Sequence, residues 1–352
     1  MEELKINETP VRTSRNFNIN NIKLKNVNIP QNISEFNNLK IDNEFNTEIN
    51  SEVSDYKLTY GLGNVLINQV KEVSNKKLKV ILNGINNKLN LDFKFDKDNL
   101  NLIENIEIDA NKGSRANIII KYESEENIEA YHNGVIKVFA EENSNINITI
   151  VNLLNTKSNN FISIENVIQE NAKVNFYIID FGGTSSVTNY YSNLLGNSSK
   201  NNLKTIYLGK ENQLFDLNYI GELRGEKSEI DIEVEGALKD NSKKHFKGTI
   251  DFKKGCKKAK GNENESCMLL SDKAKSLALP MLLCSEEDIE GNHSTSAGKI
   301  GEKELFYIMS RGFELKEAMK LMVRAKFNKI IENIKDEKLK EQILEEIDKR
   351  LD

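Results

Sequence analysis

Residues 229–238 read EIDIEVEGAL, and this stretch shows the pattern that decides the fold. Ile230, Ile232 and Val234 alternate with acidic residues, so a β-strand here would bury one face and expose the other. Further short runs are also rich in Ile, Val, Phe, Tyr or Leu, and most of them alternate. They lie at residues 78–84, 88–95, 116–122, 134–140, 146–154, 161–168, 173–181, 203–209, 214–223 and 246–252. The sequence therefore predicts a mainly β protein.

The connections between these runs limit how the strands can be arranged. Turn-rich breaks separate them and no helical pattern intervenes, which argues against alternating strands and helices. From Ala116 onward a new run begins roughly every 11 to 18 residues. A sandwich, a barrel and a parallel β-helix all stay open. Asn recurs at the run ends, where a β-helix needs tight left-handed corners, so we favour the β-helix, although Asn scattered through the whole chain would give the same recurrence.

The two ends of the chain differ from this central series. Asn-rich residues 1–75 predict a separate, loosely structured N-terminal region, with one short helix over residues 64–74. The β core is expected over residues 76–300. Over residues 301–352 the periodicity becomes helical, which predicts a C-terminal α-helical unit.

Three helices are expected in the C-terminal unit. The first ends at Gly312, and the third begins after Asp336 as its N-cap. Apolar residues at helical spacing mark the second and third helices: Ala318, Met322, Ala325, Ile330 and Ile334, then Leu339, Ile343, Ile347 and Leu351. Such helices would either cap an open end of the β core or present a face to a partner.

Composition excludes several classes of protein. A net charge of −5, from 49 basic and 54 acidic residues, gives no field that attracts nucleic acid. No apolar run is long enough to span a membrane, and the polar start lacks the apolar stretch of a signal peptide, so we expect a cytoplasmic protein. Cys256, Cys267 and Cys284 are too few and too irregularly spaced for a disulfide framework or a four-thiolate metal site.

The sequence contains no complete catalytic motif. It has no P-loop, no GxSxG and no HExxH, and His132, His245 and His293 lie far apart along the chain. We therefore expect a protein that is not an enzyme, although an active site built from scattered residues stays open.

A longer signature lies in the C-terminal third of the chain. It consists of LLSDKA at residues 269–274, Pro280, Asp288 with Ile289, His293, Gly298, ELFY at residues 304–307 and SRG at residues 310–312. This signature resembles the SufB/SufD family, the scaffold subunits of the SUF system of iron–sulfur cluster assembly. HFKG at residues 245–248 and TPVRTSRNF at residues 9–17 are also similar to segments of this family. The specific match covers about residues 245–330, and the middle of the chain agrees only in its β character.

The resemblance implies a right-handed parallel β-helix core, a small N-terminal region and a helical C-terminal unit that docks on a SufC-like ABC ATPase. It also implies a complex with a SufB-like subunit, in which an iron–sulfur cluster forms transiently at a subunit interface. ATP hydrolysis belongs to the SufC-like ATPase, which agrees with the missing P-loop. A flavin is implied only by the family, since no residue pattern here identifies a flavin site. A homodimer in isolation stays open.

The family pattern also separates SufB-like from SufD-like chains. SufB-like chains carry a cysteine shortly before the proline that matches Pro280, whereas residues 274–279 contain no thiol here. His293 matches the histidine that SufD-like chains bring to the SufB–SufD interface, so this chain resembles SufD more. Gly291 and Ser294 depart from the family pattern, because many SufD-like chains have cysteine and glycine at these positions.

His293 is therefore the candidate ligand for the cluster or its iron, and the possible further ligands are Cys284, Asp288 and Glu290. A neutral imidazole suits iron, and a thiolate from another subunit would complete a mixed site. An odd spacing places Cys284 and His293 on opposite faces of one continuous strand, but the acidic turn between them leaves this open. Alternatively, His293 is a polar loop residue that bonds the Ser and Thr groups after it, and the acidic turn is merely solvated.

The C-terminal helices carry a candidate docking surface for the ATPase. Its residues are Glu304, Phe306, Tyr307, Arg311, Met319, Met322 and Arg324. Exposed aromatic, Met and Arg residues are typical of interfaces, but burial against the end of the β core would produce the same pattern.

Two other functions compete with the SufD-like scaffold. A β-helix carbohydrate-active enzyme would use clustered carboxylates, but the chain has no Trp for sugar stacking and no secretion signal. A homo-oligomeric SufB-type scaffold would place two copies of this chain in the SufB-like and SufD-like positions, and the missing thiol before Pro280 argues against it. We expect a SufD-like scaffold that is not an enzyme.

Overall fold

The core is a β-solenoid of about eight turns, which confirms the predicted parallel β-helix. The structure is a computed structural model that describes residues 3–13, 19–44 and 47–352. Residues 14–17 of the TPVRTSRNF segment lie outside these described residues. The chain alternates between two nine-stranded sheets as it winds, so that each turn adds one strand to each sheet.

We name the two sheets after the numbers of their parallel strands, which are even in one sheet and odd in the other. The first strand of each sheet is antiparallel and does not follow this numbering. The even-strand sheet contains β3 (Leu39–Glu44), β6 (Asn87–Phe95), β8 (Arg115–Ser124), β10 (Asn145–Leu153), β12 (Lys173–Asp180), β14 (Lys200–Gly209), β16 (Glu229–Leu238), β18 (Ala259–Leu269) and β20 (Ile289–Lys299). The odd-strand sheet contains β4 (Thr47–Asn50), β5 (Lys76–Leu82), β7 (Asn101–Ala110), β9 (Tyr131–Ala140), β11 (Asn159–Ile168), β13 (Ser185–Leu194), β15 (Leu214–Leu223), β17 (Lys243–Phe252) and β19 (Lys275–Cys284).

Parallel pairing begins at β5 and β6, and the two preceding strands join the sheets antiparallel. β3 pairs with β6, and β4 pairs with β5. Both sheets therefore extend N-terminal to residue 76, where we expected the core to begin. The division of the chain into domains at residues 75/76 and 300/301 stays a prediction.

Alternation along each strand separates the interior of the solenoid from its outer faces. In β16, Ile230, Ile232 and Val234 are buried inside, as predicted. Aromatic side chains of successive turns stack in the same interior, where the rings of Phe93 and Tyr122 have centroids 5.3 Å apart. Burial of this continuous apolar column is the main favourable term in folding.

A ladder of asparagine side chains runs along the outer face of the even-strand sheet. Asn117, Asn147, Asn175 and Asn202 occupy the same register position in successive turns. The Nδ2 group of each later residue donates to the Oδ1 atom of the one before, over 2.9, 2.9 and 2.8 Å. Bonded residues are 27 to 30 positions apart in the sequence, so the ladder fixes each turn above the next in one register.

Left-handed corners connect the strands. Asn86, Asn127, Asn143 and Asn171 have positive φ at such corners, which confirms the predicted role of Asn. Several later corners place other residue types in the same conformation: Ser198, Glu211, Lys227, Asp240 and Lys258. Residue type alone therefore marks only some of the corners.

The N-terminal region packs on the outer face of the odd-strand sheet. It contains the antiparallel pair β1 (Glu3–Ile6) and β2 (Ile22–Lys25) and the predicted helix, α1 (Asn64–Val73). Apolar residues of this region share one buried cluster with residues of the sheet, including Ile6, Leu62, Leu66 and Val70 with Ile103, Tyr131, Phe161 and Val187.

Polar contacts reinforce this packing. The buried Lys247 Nζ donates to the backbone oxygen of Asn7 over 2.9 Å and to Oδ1 of Asp216 over 2.6 Å. Asn7 Nδ2 in turn donates to Asp216 Oδ1 over 2.6 Å. The region that we predicted as a separate unit is thus fixed to the side of the core.

Three helices follow the last strand: α2 (Glu302–Met309), α3 (Leu315–Ile331) and α4 (Glu337–Leu351). Helices α3 and α4 lie across the outer face of the even-strand sheet and do not cap the end of the solenoid. Phe327 of α3 packs on Phe181, with ring centroids 6.3 Å apart. Among the described residues, no helix is long and apolar enough to cross a membrane.

Helix α3 packs against the acidic side of β16. Lys326 pairs with Glu235 over 2.6 Å, and Lys329 pairs with Glu233. The alternating stretch EIDIEVEGAL therefore has two structural roles, because its apolar side fills the interior and its acidic side holds a helix.

The predicted start and apolar stripe of α4 are confirmed. Asp336 Oδ1 accepts a hydrogen bond from the Leu339 backbone N–H over 2.9 Å, as expected for an N-cap. The stripe formed by Leu339, Ile343, Ile347 and Leu351 is buried throughout.

The predicted stripe of α3 is partly wrong. Ala325 is exposed and Met322 is half-buried, whereas Val323 and Phe327 are fully buried. These two larger apolar side chains are four positions apart and therefore share one helix face, which α3 turns towards the strands.

Replacing Phe327 with Ala should lower the free energy of unfolding by about 3–5 kcal/mol, since a fully buried aromatic side chain is lost. Urea unfolding followed by far-UV circular dichroism measures this change. Leu321→Ala on the exposed side of the same helix is the matched control, with an expected loss below about 1 kcal/mol. Equal losses for the two variants would contradict the placement of α3.

Candidate functional site

The last turn of the solenoid, formed by β19 and β20, leaves one end of the core open. β19 pairs with β17 and β20 pairs with β18. No other strand in the described ranges pairs with the outer edges of β19 and β20. Most residues of β20 are therefore exposed, including those that face the interior.

His293 lies in β20 and faces the interior at this open end. It is in register with Glu263 of β18, and side chains in register on neighbouring parallel strands share a face. Two residues earlier, a Cβ atom at Gly291 would lie 3.1 Å from the Phe252 ring and 3.6 Å from Leu282, both of which belong to the core. Position 291 therefore points inward, and so does His293.

Glu263 lies one turn deeper, directly beneath His293. Its side chain is 1% exposed, and neither carboxylate oxygen has a hydrogen-bond partner among the described residues. The carboxylate rests against Gly248 of the HFKG segment, where a larger side chain would overlap it. Burial, and then the negative charge of Glu265, raise the pKa of Glu263 to about 8, so the group is mostly protonated at neutral pH.

Polar groups continue further into the interior. Glu265 Oε1 forms an ion pair with the buried Lys244 Nζ over 2.7 Å and accepts a hydrogen bond from the Tyr207 hydroxyl over 3.2 Å. Cys267 is also buried, and burial raises the pKa of its thiol. A buried ion pair therefore lies two residues along β18 from Glu263, and a protonated thiol lies two residues further along.

Sequence reasoning missed Glu263, Glu265 and Lys244. A signal for the two glutamates exists in β18, which reads AKGNENESCML, because alternation places them on the same face as Ala259 and Cys267. Carboxylates on an interior face are rare, since burying a charge is costly. Lys244 gives the same kind of signal, because alternation in β17 places it on the face of Phe246 and Ile250.

The structure does not place the predicted acidic ligands beside His293. Glu290 faces outward and pairs with Lys260 over 2.9 Å. Asp288 is exposed in the corner before β20. Within the described ranges, no group of three or more His, Cys, Asp or Glu residues could hold a metal ion.

Cys284 and His293 lie on two facing strands, so the argument from odd spacing does not apply. Because Gly291 lies opposite Leu282, His293 lies opposite Pro280. Cys284 is exposed at the end of β19, four residues beyond Pro280 and thus about 13 Å further along the strand. The alternative in which His293 is a loop residue also fails, because His293 belongs to a strand.

Four of the predicted docking residues are exposed on the α2 segment. Phe306 is 75% exposed and Tyr307 59% exposed, and Glu304 and Arg311 are exposed beside them. The Arg311 guanidinium lies over the Tyr307 ring, 5.1 Å from its centroid. Further exposed apolar residues extend this surface: Met309, Phe313, Leu315 and Leu321. Several exposed apolar residues within residues 306–321 are typical of a binding site.

The other three predicted docking residues lie within the helical packing. Arg324 pairs with Asp348 of α4 over 2.6 Å, and Met319 and Met322 are half-buried. Gly312 has a positive φ just after α2, as predicted for a helix-ending glycine.

The fold and the open turn define a β-solenoid protein with an exposed histidine at one end of its core. A family model described as SUF system FeS cluster assembly, SufBD core domain, matches residues 93–326. The chain therefore belongs to the SufB/SufD family of iron–sulfur cluster assembly proteins, and it is most like SufD.

Three relatives illustrate the similarity. The chain is 23% identical to the iron–sulfur cluster assembly protein SufD of Bacillus subtilis, over 63% of this chain and 51% of that protein. It is 26% identical to an iron–sulfur cluster assembly SufBD family protein of Pyrococcus horikoshii, over 66% of this chain and 50% of that protein. It is 27% identical to SufD of Escherichia coli over 114 residues, which are 32% of this chain and 27% of that protein. The chain thus spans about half the length of the first two relatives.

Glu263→Gln should raise the free energy of unfolding more at pH 8 than at pH 5. The difference between the two pH values should be up to about 4 kcal/mol. Between the usual pKa of 4.5 and the raised value of about 8, the folded chain keeps a proton on Glu263 that the unfolded chain releases. Wild-type stability therefore falls as pH rises across this window, and the Gln variant lacks this term. Urea unfolding at both pH values measures the difference. Glu290→Gln, on the outer face, should show no such increase, and a constant difference for Glu263→Gln would refute the raised pKa.

Proposed function

We propose that this chain is a SufD-like scaffold subunit that acts in the cytoplasm with a SufB-like subunit and a SufC-like ATPase. It supports formation and transfer of a nascent iron–sulfur cluster and catalyses no reaction of its own. The observation that carries this proposal is His293, an imidazole that faces the interior at an open end of the core. Its site is incomplete within the described chain, so it suits a cluster held between subunits.

The chemistry of the site fits iron as cargo. A neutral imidazole nitrogen is a suitable ligand for iron, and cysteine thiolates are the usual ligands of iron–sulfur clusters. This chain places no cysteine opposite His293, since Pro280 occupies that position. In this proposal the SufB-like subunit supplies the thiolate, and His293 supplies the nitrogen.

The free edges of β19 and β20 offer a way to bring the second subunit close. Unpaired backbone N–H and C=O groups along a strand edge can pair with a strand of another chain. Such pairing would place the partner directly beside His293. The same pairing would also explain why both edges lack a cover within the described chain.

The exposed α2 segment is the proposed docking surface for the ATPase. It combines exposed aromatic residues with Arg311, a composition that is enriched at interfaces. It follows the last strand. Helices α3 and α4 pack on the even-strand sheet, whereas α2 has no buried residue.

The carbohydrate-active alternative receives no support from the carboxylates of the last turns. Glu263 and Glu265 face the interior and are buried, so a polysaccharide on the outer surface does not reach them.

His293→Ala should abolish cluster assembly while the complex stays intact, because the variant loses a ligand on an exposed position without disturbing the core. Co-purification with the SufB-like and SufC-like proteins measures the complex, and visible absorption after anaerobic reconstitution measures the cluster. Ser294→Ala, the neighbouring residue on the opposite face, is the matched control. Cluster assembly at the wild-type level by His293→Ala would remove His293 from the site.

Phe306→Ser combined with Tyr307→Ser should weaken binding of the SufC-like ATPase at least about tenfold, since aromatic residues often dominate interface energy. Binding of the SufB-like subunit should not change. Val65→Ser, another exposed apolar position on α1, serves as the control in the same titration. Unchanged ATPase binding would exclude α2 as the docking surface.

A further inference from the structure

We infer that Glu263 is a second iron ligand of this chain and shares the cargo metal with His293, an inference that rests on the proposed role of His293. Carboxylate oxygen and imidazole nitrogen together form a donor set that suits ferrous iron. The remaining ligands would come from the SufB-like subunit and from sulfide.

The register of the last two turns places the two side chains together. His293 and Glu263 are paired positions on adjacent parallel strands, which lie about 4.8 Å apart. Both face the interior. On the facing sheet, Pro280 and Gly248 are likewise paired positions on adjacent strands. Pro280 lies opposite His293, and Gly248 lies against Glu263. The Glu263 carboxylate therefore forms the floor beneath the space between His293 and Pro280.

The Glu263 carboxylate has unused bonding capacity. Neither of its oxygens has a hydrogen-bond partner among the described residues, although the side chain is almost fully buried. Leaving a buried polar group without a partner is unfavourable. The neighbouring Glu265 differs, because Lys244 and Tyr207 already occupy one of its oxygens. A metal ion above Glu263 would supply the missing partner, and its binding would release the carboxyl proton to solvent.

Gly248 makes the arrangement possible. Any side chain at this position would overlap the Glu263 carboxylate, so the glycine provides the space in which the carboxylate lies. Around His293 the layer above Glu263 is also thin, because four neighbouring inward positions of the last turn are small: Ala278, Pro280, Gly291 and Thr295. The larger inward residues Leu282 and Ile289 lie nearer the corner between β19 and β20. An ion that enters beside His293 therefore passes mainly small side chains before it reaches Glu263.

Anaerobic titration of the full chain with Co²⁺, an oxygen-stable probe for ferrous iron, tests this inference. Visible absorption and calorimetry should show one ion bound per chain. Glu263→Gln and His293→Ala should each weaken binding at least about tenfold, since loss of groups that merely support a metal ligand already weakens binding 10–100-fold. Glu290→Gln removes an exposed carboxylate on the outer face of β20 and should bind Co²⁺ as the wild type does.

Each alternative result overturns a defined part of the account. If His293→Ala weakens binding and Glu263→Gln does not, Glu263 is not a ligand, while the proposed function stands. If neither variant weakens binding, His293 is not a ligand either, and both proposals fail. If the wild-type chain binds no Co²⁺, the two residues do not form a shared site, and the cluster assembly experiment with His293→Ala judges the proposed function separately.

A second variant protects the test against loss of folding. Glu263→Met removes both oxygen ligands and keeps a long side chain that packs well in buried sites. Thermal unfolding confirms that each variant is folded before titration. Glu263→Met should lose Co²⁺ binding at least as strongly as Glu263→Gln, and wild-type binding by the Met variant would overturn the inference.

Discussion

Parallel register between successive turns is the constraint on which the rest of this structure depends. Each strand pairs with the strand one turn away, so every side chain lies above the side chain at the same position of the next turn. The Asn117 to Asn202 ladder fixes this register on the outer face. A shift by one residue would break every hydrogen bond between the Asn side chains and would turn the apolar side of the strand outward. The same stacking inside the core places His293 above Glu263.

Other parts of the chain pack on the outer faces of both sheets but leave the strand edges of the last turn free, and this difference makes the register important for function. The N-terminal region covers the odd-strand sheet, and α3 and α4 cover the even-strand sheet. The last turn keeps its two strand edges free within the described chain. On this side of the core the interior column of side chains therefore ends at the exposed His293, and a second chain that pairs with those edges would lie beside it.

The sequence predicts the local features well, because short-range patterns determine them. Alternation predicts the interior face of β16, Asp336 predicts the start of α4, and Gly312 follows the end of α2. The features that depend on long-range contacts were missed or wrong. The interior face of β18 carries Glu263 and Glu265 beside only the small residues Ala259, Gly261 and Cys267, so its apolar alternation is weak and Glu263 was missed. The choice between Val323 and Met322 for the buried face of α3 likewise depends on the sheet that receives the helix.

Hyperfine spectroscopy of the iron-loaded complex tests most directly whether His293 binds the cargo. The full chain, labelled with ¹⁵N in its three histidines, would be combined with unlabelled SufB-like and SufC-like subunits and loaded anaerobically with a paramagnetic cluster. His132 is fully buried, and His245 lies two strands from the open end, so only His293 is placed to contact the cluster. The account predicts a strong coupling from one imidazole nitrogen. A loaded complex without any ¹⁵N coupling would contradict it.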